Sequence, residues 1–225
     1  LFRSQPVVVD THILGNPWVN YSVYLSTTLL PGILGMMVLL LSAFSILYEI
    51  KKKTSPRWLN VAGGNAFIAV AGKMLPYTII FTVIGWGMNV LMFKTLHFPM
   101  EGSFWFVCVA TCAYIIAMQS VAVFISGCLP MPGLAISLCS MYSTLCLTLS
   151  GFSYPYEAML PIFKALTWLV PLRHYYMITV DQMLMGLPIQ ASLFRFAILL
   201  AAIIFPLAIT NRLKKAMINP EFIGN

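Results

Sequence analysis

Five long stretches of the chain carry almost nothing that water would hold. Residues 24–48 contain no charged side chain at all. Similar apolar runs cover about 74–93, 104–128 and 190–210, and a shorter one covers 134–149, announced by Pro130 and Pro132. A hydrocarbon core about 30 Å thick needs roughly 20 such residues wound as a helix. The pattern therefore predicts an all-α, polytopic helical membrane protein with five spans. Residues 1–23 read as the end of an extracytoplasmic segment, 24–215 as the transmembrane domain and 216–225 as a cytoplasmic tail.

Two segments interrupt the apolar pattern. The first, 49–73, begins "EIKKKTSPRWLN" and gathers Glu49, Lys51, Lys52, Lys53 and Arg57 within nine positions. Ser55 can cap a helix and Pro56 suits its first turn, where no N–H is needed. Gly63 and Gly64 end that helix, and Asn65 can cap the next, which is expected to run along the surface and turn into the second span near Pro76. About 25 residues is far more than a hairpin turn requires. A short helix parallel to the bilayer is expected here, serving either as a lipid anchor or as a docking element for a cytoplasmic protein. The second segment, 150–188, is too apolar for a watery loop and too broken by Pro155, Pro161 and Pro171 for a span. Two helical pieces, about 155–169 and 172–185, are expected to form a re-entrant hairpin dipping in from the outer side. Irregular backbone at that depth must be covered by protein or face water.

Composition agrees with the pattern. Of 225 residues, 60% are hydrophobic and 8% charged, against about 25% charged in soluble domains. The net charge of +7 acts as a topology signal. Lys51, Lys52, Lys53, Arg57, Lys73, Arg212, Lys214 and Lys215 fall on one side of a five-span chain. Arg3, Lys94, Lys164 and Arg173 fall on the other, offset by Asp10, Glu101, Glu157 and Asp181. The richer side is expected to be cytoplasmic, with the observed N-terminus outside and the C-terminus inside. No basic stripe interleaved with base readers occurs, so nucleic acid is not an expected partner. The chain opens "LFRSQPVVVD" without Met, and an upstream span is expected.

Candidate chemistry is sparse. Five cysteines lie in or beside apolar runs and read as small hydrophobes. Cys108 and Cys112 share a helix face but lack further ligands, so no metal site is expected. Asn89 and Gln119 are the deepest polar groups. Together with Phe152 and Tyr154 they are candidates for a translocation path, although intramembrane amides more often bond a neighbouring helix. Arg195, about one turn into the last span, can snorkel outward or bind substrate, the first reading carrying more weight. No acidic residue lies mid-span to run a proton or sodium relay. No phosphate-binding Gly-x-x-x-x-Gly-Lys-Ser/Thr motif occurs, and no nucleophile–base constellation has interpretable spacing.

In their order, "YEIKKKTSPRWL" (48–59), "GKMLPY" (72–77), "GS" (102–103), "SGFSYP" (150–155), "AMLP" (158–161), "VPLRHYY" (170–176) and "MLMG" (183–186) resemble the membrane subunits of type-2 ABC exporters over about residues 16–215. Lys53-Thr54 stands where that family usually has Gly-Thr. A Pro usual near the end of the coupling element is replaced around 61–63, and Leu160 splits the Met-Pro pair. The resemblance implies that the visible spans are the second to sixth of six. It implies a permease that pairs with a second copy or close homologue and meets ABC ATPase subunits, which hold the ATP and Mg. Cofactors are expected in the partner and none in this chain. Glu49, Lys51, Lys52, Lys53, Thr54, Arg57, Trp58, Leu59 and Asn60 are the expected coupling contacts. The expected whole is an ATP-driven exporter in a bacterial inner membrane, moving a hydrophobic or amphipathic, drug-like or lipid-like cargo, with an optional periplasmic adaptor. An ATP-independent secondary carrier and a membrane scaffold are the rivals, and a membrane enzyme is weaker still.

Overall fold

Where no water can satisfy backbone N–H and C=O groups, a chain must pair them within each segment, and this chain does so with helices. The computed structural model describes residues 21–151 and 156–218. In order they form α1 (Tyr21–Lys51), α2 (Ser55–Val61), α3 (Ala66–Val90) continued by a π turn (Leu91–Thr95), α4 (Phe104–Cys128), α5 (Pro132–Leu149), a 3-10 turn (Tyr156–Ala158), α6 (Pro161–Thr167), α7 (Pro171–Met183), α8 (Ile189–Ala202) and α9 (Phe205–Ile218). Five units are long and apolar enough to cross a membrane: α1, α3 with its π turn, α4, α5, and α8–α9 taken together. That is the all-α, five-span class that the hydropathy pattern predicts. At 1.5 Å per residue, the 31 residues of α1 reach about 46 Å, beyond the roughly 30 Å of hydrocarbon.

The central helix is α4, which packs against α1, α3, α5, α7, α8 and α9. Small residues make the close approaches possible, as expected between membrane helices. Ala110, Ala113, Ala117 and Ala122 of α4 are buried. Across from them, a Cβ added at Gly35 of α1 would lie 1.9 Å from the Tyr114 hydroxyl. That hydroxyl donates to the Pro31 carbonyl at 3.0 Å, and the Tyr114 ring stacks on Tyr175 of α7 with centroids 4.9 Å apart. By contrast, α3 and α8–α9 turn much of their apolar surface outward, Ile79, Ile80, Val83, Phe194 and Leu207 among it.

Two proline positions depart from the expected layout. A surface helix turning into the second span at Pro76 is not observed; α3 runs unbroken from Ala66 through Pro76 to Val90. Its start is fixed by Asn65, whose side chain accepts from the N–H groups of Phe67 (3.0 Å) and Ile68 (3.4 Å). Membrane helices tolerate an interior proline where packing compensates. The last span, expected as one helix over 190–210, is instead broken between α8 and α9. The N–H groups of Ile203 and Ile204 turn back to Leu200 and Ala201 at 3.1 and 3.0 Å. Pro206 has no N–H to continue the ladder there.

Candidate functional site

The interrupting segments sit at opposite ends of the bundle. At one end, α1 closes in a Schellman motif. The N–H of Lys53 donates to the Ile50 carbonyl and that of Thr54 to the Glu49 carbonyl, both at 3.1 Å. The residue after such a helix end takes a left-handed backbone, and Lys53 does so with φ +57°. That conformation favours glycine and is costly for a residue with a side chain. The end of α2 uses the same motif with Gly63, at φ +67°.

Between these two turns, α2 is tied to three other helices. Thr54, not the expected Ser55, occupies the cap position of α2, and the Ser55 hydroxyl donates instead to the carbonyl of Met217 in α9 at 2.9 Å. The Trp58 indole donates to the carbonyl of Ala69 in α3 at 3.2 Å. Leu59 is buried among Ile46, Ile50, Val70, Leu213 and Met217. The acidic partner in this junction is Glu49. It accepts from Lys73 Nζ at 2.6 Å and from the Thr54 hydroxyl, while Lys73 Nζ lies 4.9 Å over the Trp58 ring. The "YEIKKK" and "GKMLPY" stretches, 24 residues apart at Glu49 and Lys73, are thus closed on one another by an ion pair. Lys73 was not among the expected coupling residues; its place after Gly72 in the motif was the available signal.

The nine expected coupling residues divide by direction. Glu49, Thr54, Trp58 and Leu59 face the bundle or one another, whereas Lys51, Lys52, Lys53, Arg57 and Asn60 are exposed. Val61, at the same end, is 91% exposed.

At the opposite end, α7 and the α3–α4 loop are stapled together. The N–H of Gly102 donates to the Gln182 carbonyl at 2.7 Å, and the N–H of Ser103 to Gln182 Oε1 at 3.0 Å. A side chain at Gly102 would meet that carbonyl at 2.8 Å, so only glycine fits without a shift. The turn between α6 and α7 is held by Tyr142 of α5, whose hydroxyl donates to the Leu169 carbonyl at 2.9 Å. Tyr142 lies seven residues before the end of α5, about 10 Å along its axis. Arg195 of α8 pairs with Asp181 of α7, which also accepts from Ser192 at 3.0 Å. Asp181 is almost fully buried and Arg195 is about a third exposed. Sequence spacing gave no sign of this pair, since its members lie on different elements.

The expected path residues are separated. Asn89 is buried and donates to Thr111 Oγ1 at 2.8 Å, and the Tyr175 hydroxyl completes that cluster at 3.1 Å from Thr111. Gln119 accepts from Thr78 at 2.7 Å and donates to the Met74 carbonyl at 3.5 Å. Its amide borders an apolar groove of about 340 Å³ between α3, α4 and α9. Both amides bond neighbouring helices. Phe152 and Tyr154 lie outside the described residues. No group of three or more His, Cys, Asp or Glu side chains able to hold a metal occurs among the described residues.

A bundle of five apolar spans, with a polar junction at one end and the stapled α6–α7 segment at the other, defines a multi-pass membrane protein. The family model of the ABC-2 type transporter matches residues 7–184, and the chain belongs to that family. It is the membrane permease of an ABC-type transporter, a transport subunit and not itself the catalyst. No curated protein and no solved structure matches the chain.

Proposed function

We propose that α2 is the coupling helix through which a separate ABC ATPase drives this permease, and that the α2 end faces the cytosol. The observation that carries the reading is the division of α2 into two faces. Ser55, Trp58 and Leu59 fasten it to α9, α3 and the end of α1. Lys51, Lys52, Lys53, Arg57, Asn60 and Val61 stay exposed for a polar partner. A push on so short and so firmly tied a helix reaches three membrane helices at once. Transport then requires only that nucleotide and cargo favour different members of a two-state pair.

The rest of the reading follows from this orientation. The eight basic residues at the α2 end and in the second half of α9 support a cytoplasmic placement by the positive-inside rule. The segment 150–188 then lies outside as a re-entrant hairpin, and the bonds from Tyr142 to Leu169 and from Thr111 to Tyr175 support its reaching membrane depth. The working unit is two permeases and two ATPases in a bacterial inner membrane, exporting a hydrophobic or amphipathic cargo, with an optional periplasmic adaptor. ATP and Mg bind the ATPase, and this chain contributes no nucleotide site.

The test is co-purification of the ATPase with variants of the two faces. Arg57→Glu combined with Val61→Asp is expected to release the ATPase while the permease keeps its unfolding midpoint. Leu59→Ala is expected to lower that midpoint first. Full retention of the ATPase, with unchanged ATP hydrolysis by the complex, in the double variant would remove α2 from the coupling path.

A further inference from the structure

On the flank of the bundle opposite α2, the hairpin and α8 enclose a cavity of about 260 Å³. Its walls include two guanidinium groups, Arg173 and Arg195, the imidazole of His174, and the rings of Tyr156, Trp168 and Phe194. Arg195 is already neutralised by Asp181. Arg173 is not: among the described residues it forms no ion pair. Its guanidinium reaches the Ser150 carbonyl at 3.5 Å and lies 4.4 Å over the Tyr156 ring. The nearest acid in sequence on that turn, Glu157, is exposed. The exposed Glu157 attracts Arg173 without pairing with it, so Arg173 is the cavity's guanidinium that has no ion-pair partner among the described residues.

A fixed guanidinium presents a fork of donors matched to carboxylate or phosphate oxygens. Beside it, Trp168 and Phe194 meet edge to face with centroids 6.1 Å apart, and both are at least half exposed on the apolar flank. The cavity is smaller than the roughly 300–1,000 Å³ that encloses a drug-sized ligand. It has room for one end of a molecule, with the remainder lying along the flank.

We infer that this cavity binds the anionic head of an amphiphile, a phosphate or carboxylate carried on an apolar tail. The head sits on Arg173, and the tail leaves over Trp168 and Phe194. The chemistry is shared by an anionic phospholipid of the surrounding bilayer and by a soluble anionic amphiphile. The inference stands independently of how α2 is used.

The experiment places the permease with its ATPase in phosphatidylcholine nanodiscs. One arm adds phosphatidylglycerol and the other dodecyl phosphate. Binding is read as retained ligand by native mass spectrometry. Site occupancy is read as quenching of Trp168 by the brominated form of each probe, taken as the difference from Trp168→Phe. Wild type is expected to retain the anionic probe about tenfold over phosphatidylcholine. Arg173→Gln is expected to lose that tenfold preference, the size of one charge-assisted hydrogen bond, and Arg173→Lys to keep part of it. Met177→Trp fills the cavity without altering its charge and is expected to lose the retained anionic probe, read by native mass spectrometry because the added indole fluoresces itself, which decides the matter if Arg173→Gln does not fold. Success in the first arm alone identifies a bilayer lipid, and in the second alone a soluble ligand. Equal retention by wild type and Arg173→Gln, or by anionic and zwitterionic probes in both arms, overturns the inference, as does unchanged retention in Met177→Trp.

Discussion

The junction beneath the bundle makes a quantitative prediction. Lys73→Met keeps the length and apolar stem of the side chain but removes its charge, and with it the ion pair to Glu49 and the contact over Trp58. Two unit charges about 4 Å apart at an effective dielectric of 20 attract by about 4 kcal/mol before any cost. The side chains are 19% and 28% exposed, so solvent screening and the ordering of two long side chains remove most of that. A coupling of about 1 kcal/mol remains between Glu49 and Lys73. The cation–ring contact adds roughly 0.5–1 kcal/mol. Lys73→Met should therefore cost about 2 kcal/mol, and Glu49→Gln about 1, because Lys73 can still donate to the amide oxygen while the Thr54 hydroxyl, donating to the Glu49 carbonyl, can accept from the amide NH2. The assay is equilibrium unfolding of the permease in mixed micelles, run as a double-mutant cycle with Glu49→Gln, Lys73→Met and the pair. The double variant should be more stable than the sum of the single losses implies, by about 1 kcal/mol. Strict additivity would mean that the two motif stretches are near one another without being energetically joined.

Three further outcomes are expected in the same unfolding assay. Lys53→Gly should stabilise the permease by up to about 1 kcal/mol, because a left-handed backbone costs a side-chain-bearing residue roughly 1–2 kcal/mol and glycine little; a loss of stability would contradict the strain assigned to this turn. Arg195→Met should cost about 3 kcal/mol and Asp181→Asn less, since the first strands a buried carboxylate and the second leaves a cation that can reach water; the reverse order would contradict the pairing. Gly102→Ala should cost about 2–4 kcal/mol by forcing the Gln182 carbonyl away and breaking a 2.7 Å hydrogen bond, whereas Gly72→Ala, facing open space within a helix, should be neutral or stabilising.

Much of this protein was written in one dimension. Apolar run length determined five spans and the all-α class, because a bilayer accepts little else. The order of "YEIKKK", "GKMLPY", "GS" and "SGFSYP" pointed to the family. That Lys53 holds a left-handed backbone was visible only in the structure. Tertiary structure alone decided which way each side chain faces. A helix apolar all round gives no sign of which flank meets lipid and which meets a neighbour, since both environments are equally oily. Hence Trp58 and Leu59 could not be told from Arg57 and Asn60 as contact residues until α3 and α9 were seen to cover them. Nor could Glu49 be matched to Lys73, or Asp181 to Arg195, before the helices were set side by side. Pro76 and Pro206 are both prolines within apolar runs, yet α3 continues through the first and the last span breaks just before the second, which stands in the first turn of α9. Hydrophobicity sets how deep a residue lies; only packing against specific neighbours sets its direction, and the polar contacts that tie the helices at each end of this bundle depend on direction.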